Sequence, residues 1–599
     1  MKQTLLLTAC VALSCNAKKL IADEISNKLN VILIMTDDQG YGDVGFTGNP
    51  YIKTPNLDKF ASESCCFTNF HTATTSAPTR SGMMTGKYCN EVGVWHTIQG
   101  RSILEKQHVT IAEIFKGNGY KTGLFGKWHL GDNAPFRPGD RGFDKALWHK
   151  GGGVGQTPDY WLNDYFDDTY FNEEDKAVKQ KGYCTDVFFG KAIEFVKENK
   201  DKPFFCCITP NAPHGPYHVS EKYAKQYRNN PNIPVPEFYG MITNIDDNFG
   251  TLMSTLKELD IDRETIVIFC TDNGSAGGVK LNKKNRLAEK GYNAGMRGVK
   301  GDVFDGGHRT PLVINIPGNK PLVTSQLAGY IDVAPTLIEI CGLKTSETET
   351  MDGISLASVI NEDKTIDRYL IADTQRNEFL SEETISCVMK GNWRLINKKQ
   401  LYNVALDPGE QKDMADGNPG LVNELKQVYD EWWAKTSKAN ERMSHIYLPT
   451  EKNKSTVLNC HDMHDPLNRV SVWNQNLMRT DMKPAPGFWA IEVKEDGRYN
   501  FELYRWLVES DLKLTEAAQE GEEIPNGQKY KAGGEIKEYL CAKLAIGNYS
   551  KKIKVRNADK KRCVEFSNIR LRKGMYKMEA HFILPTDTIG AYYIKITRK

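Results

Sequence analysis

The chain of 599 residues lacks several features that would mark other protein classes. Its 78 basic and 76 acidic side chains leave a net charge of only +2, and no basic block occurs, so a nucleic-acid partner is not expected. The 14 cysteines are irregularly spaced and form no Cys-x-x-Cys zinc pattern. Those in apolar runs, such as Cys206, Cys207 and Cys270, are expected to be buried thiols. No internal repeat or low-complexity linker is present, and this length predicts two or more domains.

The sequence also has no hydrophobic run long enough to span a membrane. The N-terminus carries one short apolar stretch. Residues 5–13 are apolar and are followed by small side chains, which predicts a signal peptide over residues 1–17. The run is too short for a membrane span, so we expect no transmembrane segment. Cleavage after Ala17 and lipidation at Cys15 both remain open. We therefore expect an exported, periplasmic protein, with a lipid anchor as an open alternative.

The most informative short motif is TTSAPTRSGMMTG at residues 74–86. Pro78 suits the first position of a helix, where its missing N–H costs nothing. Ser76 would then lie at the helix entrance, beside unpaired N–H groups and the positive end of the helix dipole. Arg80 would add a fixed positive charge in the first turn. The motif predicts an anion site that contains a potential nucleophile, although an ordinary turn would also explain these residues.

Two buried strands are each followed by a pair of oxygen-bearing side chains. These pairs are Asp37-Asp38 after residues 31–35 and Asp272-Asn273 after residues 266–270. In a parallel sheet both pairs would lie at the carboxyl ends of the strands, where α/β proteins bind their ligands. Three carboxylates and an amide suit a hard cation such as Ca²⁺ or Mg²⁺. The alternative is ordinary turn chemistry, since Asp and Asn are frequent after strands.

Three further segments carry basic side chains with possible catalytic roles. Lys127 and His129 lie two apart on a segment expected to be extended, which would point both to one side. His214 lies between prolines after the apolar run 204–208, and Lys300 precedes a glycine-rich turn. Each of these residues taken alone also fits an unremarkable loop.

Together, and in this order, the motifs resemble those of the type I sulfatases of the alkaline-phosphatase-like superfamily. The resemblance covers residues 30–415 and includes the S-x-P-x-R core, the G-K-x-H run, both acid pairs and the K-G…G-G-x-R-x-P run. The later LYNVALDPGEQKDMA is similar to the closing segment of that family. Thr74 and Phe125 depart from the usual pattern, but neither changes a reacting group. The resemblance implies an α/β fold with a mixed sheet flanked by helices, and hydrolysis of sulfate esters.

The resemblance also implies a modified residue. In this family the Ser or Cys of the motif is oxidised to formylglycine; here it would be Ser76, processed by a bacterial radical maturase. The hydrated aldehyde is the implied nucleophile. One of its oxygens attacks sulfur, and the second later loses a proton so that the covalent sulfate ester breaks by elimination.

Carried over by motif, the remaining roles fall on named side chains. One Ca²⁺ would be held by Asp37, Asp38, Asp272, Asn273 and the hydrate at residue 76. The cation and Arg80 would orient the diol and lower its pKa. Lys127 and Lys300 would contact the sulfate oxygens. His129 would take the proton that collapses the intermediate, and His214, with Lys300, would protonate the leaving alcohol.

The pattern of strand-like and helical runs divides the chain into three units after the signal peptide. Residues 27–360 alternate strands and helices and would form the catalytic domain; the predicted helices include 110–116, 187–198 and 245–259. Residues 361–439 would form a small α+β subdomain, with an antiparallel sheet and a helix over 421–434. Residues 440–599 alternate strand-like runs and turns, which predicts an added β-sandwich of about seven or eight strands. That sandwich would either bind sugars or only stabilise the enzyme, and its residues 458–462 could reach the rim of the active site.

Loops around the motif are rich in aromatic and paired polar residues, which suit the apolar faces and hydroxyl edges of a sugar. His96, Arg137, Asp159 and Trp161 are the candidate substrate-binding residues. The tryptophans would alternatively be core residues. The chain is similar to bacterial carbohydrate sulfatases, including those similar to N-acetylgalactosamine-4-sulfatases. An exo-acting enzyme on galactose- or N-acetylgalactosamine-type glycans is therefore expected, with the sugar and the sulfated carbon left open.

Two other functions remain as alternatives. The first is a phosphatase or phosphonate monoester hydrolase of the same superfamily; members with an unmodified Ser or Thr use two zinc ions and extra His and Asp ligands. Pro78 and Arg80 favour the sulfatase. The second is a sulfated-glycan-binding protein without turnover, against which the set of Lys and His groups argues, because binding alone needs no proton donors.

Overall fold

The computed structural model of the protein describes residues 28–469, 471–525 and 528–599. The predicted signal peptide, residues 1–17, and the candidate lipidation site Cys15 lie outside these ranges. Within them, no helix combines the length and apolar character that crossing a bilayer requires.

The largest sheet has 11 strands and is mixed. The strands of this half of the chain are β1 (Asn30–Thr36), β2 (Cys65–His71), β3 (Lys121–Lys127), β4 (Lys145–His149), β5 (Thr169–Asn172), β6 (Ala177–Lys179), β7 (Phe204–Thr209), β8 (Thr265–Thr271), β9 (Val279–Leu281), β10 (Ala288–Gly291), β11 (Arg309–Asn315), β12 (Leu322–Thr324) and β13 (Ala328–Gly329). Of these, β9 and β10 form a separate pair, and the spatial order of the others is β12-β2-β11-β8-β1-β7-β3-β4-β5-β6, with β13 beside β2. The strands β8, β1, β7, β3 and β4 run parallel, so their carboxyl ends share one edge.

Helices cover both faces of this sheet. The helices of the chain are α1 (Pro55–Ser62), α2 (Ser76–Thr85), α3 (Ile111–Gly117), α4 (Cys184–Asn199), α5 (Glu221–Ala224), α6 (Pro236–Glu258), α7 (Asp305–His308), α8 (Val333–Ile340), α9 (Ala357–Glu362), α10 (Pro419–Thr436) and α11 (Gln475–Met478). In β1, Val31 and Leu33 join a core that includes α2, α3 and α8, whereas Ile32 and Ile34 join a core that includes α1, α4 and α6. This two-sided burial explains why the strand reads as a continuous apolar run.

The predicted helices are present as α3, α4, α6 and α10. The start of α6 differs most from the prediction. The structure begins α6 at Pro236, nine residues before the predicted start at residue 245. Pro236 occupies the first turn, where a proline loses no hydrogen bond, and Phe238 and Met241 bury the early face. Gly240 lies where the backbone of Ala224 approaches α6 closely.

The remainder of the chain carries three sheets, and the predicted fold class is confirmed. The strands are β14 (Tyr369–Asp373), β15 (Ser386–Lys390), β16 (Trp393–Ile396), β17 (Gln400–Asn403), β18 (Ile446–Tyr447), β19 (Ser455–Asn459), β20 (Trp489–Val493), β21 (Gly497–Tyr504), β22 (Cys541–Ile546), β23 (Tyr549–Lys554), β24 (Cys563–Leu571), β25 (Gly574–Ile583), β26 (Thr588–Gly590) and β27 (Tyr593–Arg598). Strands β14–β17 form an antiparallel sheet, and side chains of α10 belong to the same core as those of β15 and β16.

The last ten strands form two sheets around a single core. One sheet contains β18, β20, β25, β22, β23 and β26, and the other contains β19, β27, β21 and β24. Trp489 and Leu544 from the first sheet share the core with Phe501 and Ile594 from the second. The sequence predicts about seven or eight strands in this region and the structure has ten, of which β18 and β26 have only two and three residues.

Candidate active site

The candidate catalytic and metal-binding side chains converge at the carboxyl edge of the parallel strands. Asp37 and Asp38 follow β1, Asp272 and Asn273 follow β8, and β1 and β8 are neighbours in register. Lys127 is the last residue of β3, His214 follows β7, and Lys300 lies in the loop before α7. The fold therefore brings these predicted groups together, although residues 37 and 300 are far apart in sequence.

Ser76 lies at the entrance of α2, whose ten residues are all buried. Its hydroxyl donates to Asp37 Oδ1 at 3.0 Å and lies 3.3 Å from Asn273 Oδ1. The helix begins at Ser76 and not at Pro78, so the predicted position of the proline is wrong by two residues. The third residue of a helix also has no intrahelical partner for its N–H, which is why proline is tolerated there.

The three carboxylates form a buried cluster. Asp37, Asp38 and Asp272 each place one oxygen within 4.8 Å of the others, and none is more than 2% exposed. The Asp38 amide donates to Asp272 Oδ1 at 3.0 Å, and Asn273 Nδ2 donates to Asp38 Oδ1 at 2.9 Å. Asp38 adopts a left-handed backbone conformation with φ of 67°, which Asp and Asn reach more readily than most other non-glycine residues.

Three cationic side chains surround the cluster. Arg80 donates to Asp272 at 2.9 Å, and Lys127 donates to Asp37 at 2.7 Å. Lys300 donates to Asp38 at 2.5 Å. Three carboxyl groups are thus each paired with a basic side chain. A divalent cation would leave the pocket with a net positive charge, which favours an anionic substrate.

Burial and charge set the protonation of the cluster. Burial and the neighbouring Asp272 raise the pKa of Asp37 to about 8, despite the contact with Lys127. Burial also opposes ionisation of Asp272, but Arg80 and Lys127 outweigh it and lower that pKa. For Asp38, burial is again outweighed, by Lys300 and His214, so its pKa is lowered. Without a bound ion, Asp37 therefore holds the proton that a cation would displace.

The donor set fits a divalent metal ion. Every ligand atom on offer is an oxygen, from the three carboxylates, the Asn273 amide and residue 76, and such sets select hard cations such as Ca²⁺ and Mg²⁺. A second group of metal-ligating types, His71, Asp305 and His308, is also buried. There Arg394 donates to Asp305 at 2.7 Å, so a guanidinium already occupies the position of a cation.

We predict that metal binding to this cluster strengthens with pH. The folded, ion-free protein holds a proton on Asp37 up to about pH 8, and the cation must displace it. The Kd for Ca²⁺ should therefore fall by up to about 10-fold per pH unit between pH 6 and 8. Titration calorimetry on chelator-treated protein would measure it, with Asp37→Asn as the variant that should flatten the dependence. Equal Kd values at pH 6 and 8 would contradict the assignment.

The same pKa shift gives a stability prediction with a definite sign. An unfolded Asp has an ordinary pKa near 3.8, whereas folded Asp37 holds its proton to about 8, so the folded state binds more protons in between. The contribution of Asp37 to the free energy of unfolding of the ion-free protein should therefore fall as pH rises towards 8. Melting curves at pH 6 and pH 8 should show the larger stabilisation by Ca²⁺ at pH 8.

The ring of His129 is held at one nitrogen and leaves the other without a partner among the described residues. The prediction of an extended segment fails at this residue, because β3 ends at Lys127 and His129 has a φ of 60°. Its Nε2 lies 2.9 Å from the Thr97 carbonyl, which can only accept, so Nε2 carries the hydrogen. The unprotonated Nδ1 is buried without a hydrogen-bond partner among the described residues. Burial and the neighbouring Lys127 lower the pKa of His129, which keeps the ring neutral.

His214 and Lys300 both lie beside Asp38. His214 Nδ1 lies 2.6 Å from the Gly215 carbonyl, and its Nε2 lies 3.7 Å from Asp38 Oδ2. Burial lowers the pKa of His214 to about 4, although Asp38 opposes the shift. For Lys300 the attraction of Asp38 and Asp37 exceeds the effect of burial and raises the pKa. Lys300 is therefore the protonated member of this pair at neutral pH when no anion is bound.

A cavity of about 230 Å³ opens above these groups. It is lined by Ser76, His96, Thr97, Ile98, Lys127, His129, Gly152, Gln156, His214, Lys300, Arg376 and Trp473. Of the four candidate substrate-binding residues, His96 alone lies in this lining. The buried acids sit beneath it, beside Ser76.

The structure places the other three candidates outside the cavity. Arg137 pairs with Asp140 at 2.7 Å. Asp159 is fully buried and accepts from the Gly155 amide at 2.9 Å, which braces its own loop. Trp161 packs against Trp506, with ring centroids 5.7 Å apart, in the contact between the catalytic region and the sandwich.

Six lining residues were not singled out in the sequence: Thr97, Ile98, Gly152, Gln156, Arg376 and Trp473. Arg376 lies just after β14, where the strand ends at Asp373, a signal of the same kind as the two acid pairs. Trp473 comes from the C-terminal region and carries no local signal. Segment 458–462 does approach the site as expected, since the ring of His461 lies 6.2 Å from that of His129.

Comparison with known proteins shows the family of the chain. The family model described as "Sulfatase" matches residues 29–343, more than half of the chain. The N-acetylgalactosamine-6-sulfatase of Mus musculus is 28% identical over 393 residues, which is 60% of this chain and 73% of that protein. Arylsulfatase A of Homo sapiens is 29% identical over 365 residues, covering 55% and 67%.

Solved structures show the same relationship. Ps i-CgsB, solved in complex with k-i-k-neocarrahexaose, is 27% identical with a TM-score of 0.60, covering 69% of this chain and 93% of that one. The phosphonate monoester hydrolase of Agrobacterium radiobacter is 19% identical with a TM-score of 0.50, covering 68% and 96%, which shows a shared fold alone. The chain therefore belongs to the sulfatase family of the alkaline-phosphatase-like superfamily and is a hydrolase of sulfate esters.

Proposed function

We propose that the protein is an exported sulfatase that removes sulfate from a glycan, with residue 76 as nucleophile and one Ca²⁺ bound beside it. The observation that carries this proposal is the position of the Ser76 hydroxyl, 3.0 Å from Asp37 and open to a cavity lined by Lys127, His129, His214 and Lys300. A simple anion-binding site has no use for so many groups able to move protons.

The proposed centre combines a modified side chain and a metal. Oxidation of Ser76 to formylglycine, by a radical maturase, would supply a hydrated aldehyde in place of a weakly nucleophilic alcohol. The Ca²⁺ would be held by Asp37, Asp38, Asp272, Asn273 and residue 76, and would act as a Lewis acid on bound oxygens. The fit of the oxygen donors supports the metal, and the serine at the helix entrance supports the modification.

The chain's own cations would bind and orient the sulfate group. Lys127 and Lys300 line the cavity and already contact acids of the cluster, so their ammonium groups are positioned before substrate arrives. Arg80 is buried beneath them and fixes Asp272. Preorganised charges of this kind stabilise the negative charge that concentrates on oxygens during sulfate transfer.

Proton transfers would be divided between the two sides of the cavity. His129, with its free Nδ1, would accept a proton from residue 76. Lys300 and His214 would donate a proton to the oxygen of the leaving alcohol. The pKa of His214 is about 4 in the empty site, and a bound sulfate anion would raise it towards the range in which the ring can donate.

We predict that His214→Gln separates substrates by their leaving group. A sugar alcohol is a poor leaving group and needs the proton, so kcat/KM on a sulfated sugar should fall by about 100-fold or more. Activity on 4-nitrophenyl sulfate should fall much less, because nitrophenolate leaves without a proton. Steady-state kinetics on both substrates would measure the ratio. Equal losses on the two would indicate that His214 does not donate to the leaving group.

The proposed substrate is a sulfated sugar of galactose or N-acetylgalactosamine type, attacked at a chain end. Two similarities support this class: the curated N-acetylgalactosamine-6-sulfatases, and the structure solved with a carrageenan hexasaccharide. The mixture of polar and aromatic side chains in the cavity, including His96, Gln156, Arg376 and Trp473, suits a sugar ring with hydroxyl edges. The N-terminal apolar run supports export to the periplasm.

A substrate panel tests the proposal. Protein produced with a radical maturase and supplied with Ca²⁺ would be assayed on 4-nitrophenyl sulfate, 4-nitrophenyl phosphate, a phenyl phosphonate monoester, sulfated galactose and N-acetylgalactosamine, carrageenan oligosaccharides and chondroitin sulfate oligosaccharides. We expect sulfate release from at least one glycan, with kcat/KM well above that on the aryl ester. Turnover of phosphate or phosphonate esters alone would contradict it.

A further inference from the structure

A second cavity adjoins the active-site cavity and is larger, at about 380 Å³. Its lining includes Val154, Gly155, Asn163, Asp164, Tyr165 and Tyr217 from the catalytic region. The C-terminal region adds Trp473, Asn476, Ile524 and Tyr530. Gln156, His214 and Trp473 line both cavities, so the two spaces are contiguous across these three side chains.

The position of this cavity indicates which part of a substrate would enter it, namely the part beyond the oxygen that leaves the sulfate. Lys127 and Ser76, which would face the sulfate, line only the smaller cavity. His214, which would protonate the leaving oxygen, lies at the boundary between the two. A substrate that extends beyond the sulfated ring past His214 would therefore enter the larger cavity.

Hydrogen bonds between the catalytic region and the sandwich hold this cavity in shape. The Thr157 amide donates to the Trp473 carbonyl at 3.0 Å. The Tyr530 hydroxyl donates to the Asn163 carbonyl at 2.6 Å. The backbone N–H of Gln475, two residues after Trp473, donates to the Gly155 carbonyl at 3.1 Å, which ties this segment to the same loop a second time. The backbone of Trp473 is thus fixed by contacts that do not involve its side chain.

The indole of Trp473 is nevertheless open to solvent. All 10 tryptophans of the sequence lie within the described ranges. Trp473 is the most exposed of them, with 40% of its surface accessible to solvent. A large aromatic ring held by its backbone at the junction of two cavities provides a flat apolar surface. Such surfaces, with amide side chains around them, suit the apolar face and hydroxyl edge of a sugar ring.

The lining also contains polar side chains, among them Asn476, Lys529 and the acidic Asp164. Asn476 is exposed in the wall, and Lys529 adds a positive charge beside its partner Glu520. Gln528 lies 3.1 Å from His218. The Asn476 amide and the Lys529 ammonium group are donors suited to hydroxyl or sulfate groups, whereas a purely apolar guest would make no use of them.

We propose that this cavity is a second sugar-binding subsite, built jointly by the catalytic region and the C-terminal sandwich, with Trp473 as its stacking surface. The proposal rests on the proposed glycan sulfatase function and narrows it: the preferred substrate is a sulfated oligosaccharide, and the sulfated ring and its neighbour occupy adjoining cavities. The sandwich is then part of the substrate site and does more than stabilise the enzyme.

The test measures the binding advantage of an oligosaccharide over its monosaccharide. Protein carrying Ser76→Ala, which cannot turn over, would be titrated with k-i-k-neocarrahexaose, chondroitin 6-sulfate hexasaccharide, galactose 4-sulfate and N-acetylgalactosamine 6-sulfate. We expect at least one hexasaccharide to bind 10-fold or more tightly than its matching monosaccharide. Adding Trp473→Ala or Asn476→Ala should reduce that advantage to less than 3-fold, and Trp473→Tyr should retain part of it.

A matched control uses Leu540→Ala, a similarly exposed apolar residue of the sandwich, at 39% exposure and outside both cavities. It should leave the advantage unchanged. If no hexasaccharide exceeds its monosaccharide by more than 2-fold, or if the advantage persists in both cavity variants, the subsite proposal is overturned.

The two proposals fail in distinguishable ways. Release of sulfate from a monosaccharide by the unsubstituted enzyme, with no oligosaccharide advantage, would leave the sulfatase function standing and remove the subsite. An advantage that depends on Trp473 in a protein that releases no sulfate would leave the glycan subsite and contradict the glycan sulfatase function. An apolar aryl sulfate binding better than every hexasaccharide would also overturn the subsite.

Discussion

Ser76→Ala should abolish sulfate release, lowering kcat by about 10⁴-fold or more while the protein remains folded. The reason is chemical, because this position would supply the attacking oxygen, and alanine offers none. It also loses only two short contacts, to Asp37 and Asn273, in a cluster that a cation can hold together. Sulfate release measured by ion chromatography, with circular dichroism and a melting curve, would give both results.

Ser81→Ala is the matched control for this experiment. Ser81 is a buried serine of the same helix, and its hydroxyl donates to the Pro78 carbonyl at 2.8 Å, away from the acid cluster. Its removal should leave kcat within a few-fold of the original. Normal turnover by the Ser76→Ala protein would mean that another group attacks sulfur, and the account of the site would be wrong.

Lys127→Met should lower kcat on a sulfate ester by about 10²- to 10³-fold. Methionine keeps most of the buried volume but removes the ammonium group that lines the cavity and contacts Asp37 at 2.7 Å. The lost interaction is with charge that builds up on the sulfate oxygens, so kcat should fall more than KM rises. Initial-rate kinetics on 4-nitrophenyl sulfate would measure both constants.

The control for this variant is Lys121→Met, at the exposed start of the same strand. It should change neither constant appreciably, because it is separated from the site by the length of β3. A loss confined to KM in the Lys127→Met protein would indicate that the lysine only helps to bind the substrate in its ground state. That result would require another cation, such as Lys300, to stabilise the charge that develops on the sulfate.

Local features of the sequence predicted the central strands β1 and β8 and the acids that follow them, but not the order of the 11 strands. The runs that became β1 and β8 are apolar along their whole length because both faces are covered, and each ends in its oxygen-bearing pair. Parallel pairing then brings Asp37 and Asp272 to one edge, which follows from general rules of α/β folds. Start and stop positions were less secure, as α2 and His129 show, because helix ends and left-handed residues depend on local tertiary contacts.

The substrate-facing residues could not be identified in the same way. Trp161 and Trp473 look alike in the sequence, yet one packs between two parts of the protein and the other faces two cavities. Which of them is exposed depends on how the C-terminal sheets dock on the catalytic region. That docking is set by contacts between residues more than 300 positions apart, such as Tyr530 with Asn163, and no local pattern reports it.

The most direct measurement is the mass of the tryptic peptide 60–80, which contains residue 76, from protein co-produced with a radical maturase. Conversion of the serine to formylglycine makes this peptide about 2 Da lighter, or about 16 Da heavier than the unmodified peptide as the hydrate. We expect the lighter or hydrated form in the active fraction, in proportion to specific activity. A fully active sample whose peptide retains the unmodified serine mass would contradict the central claim.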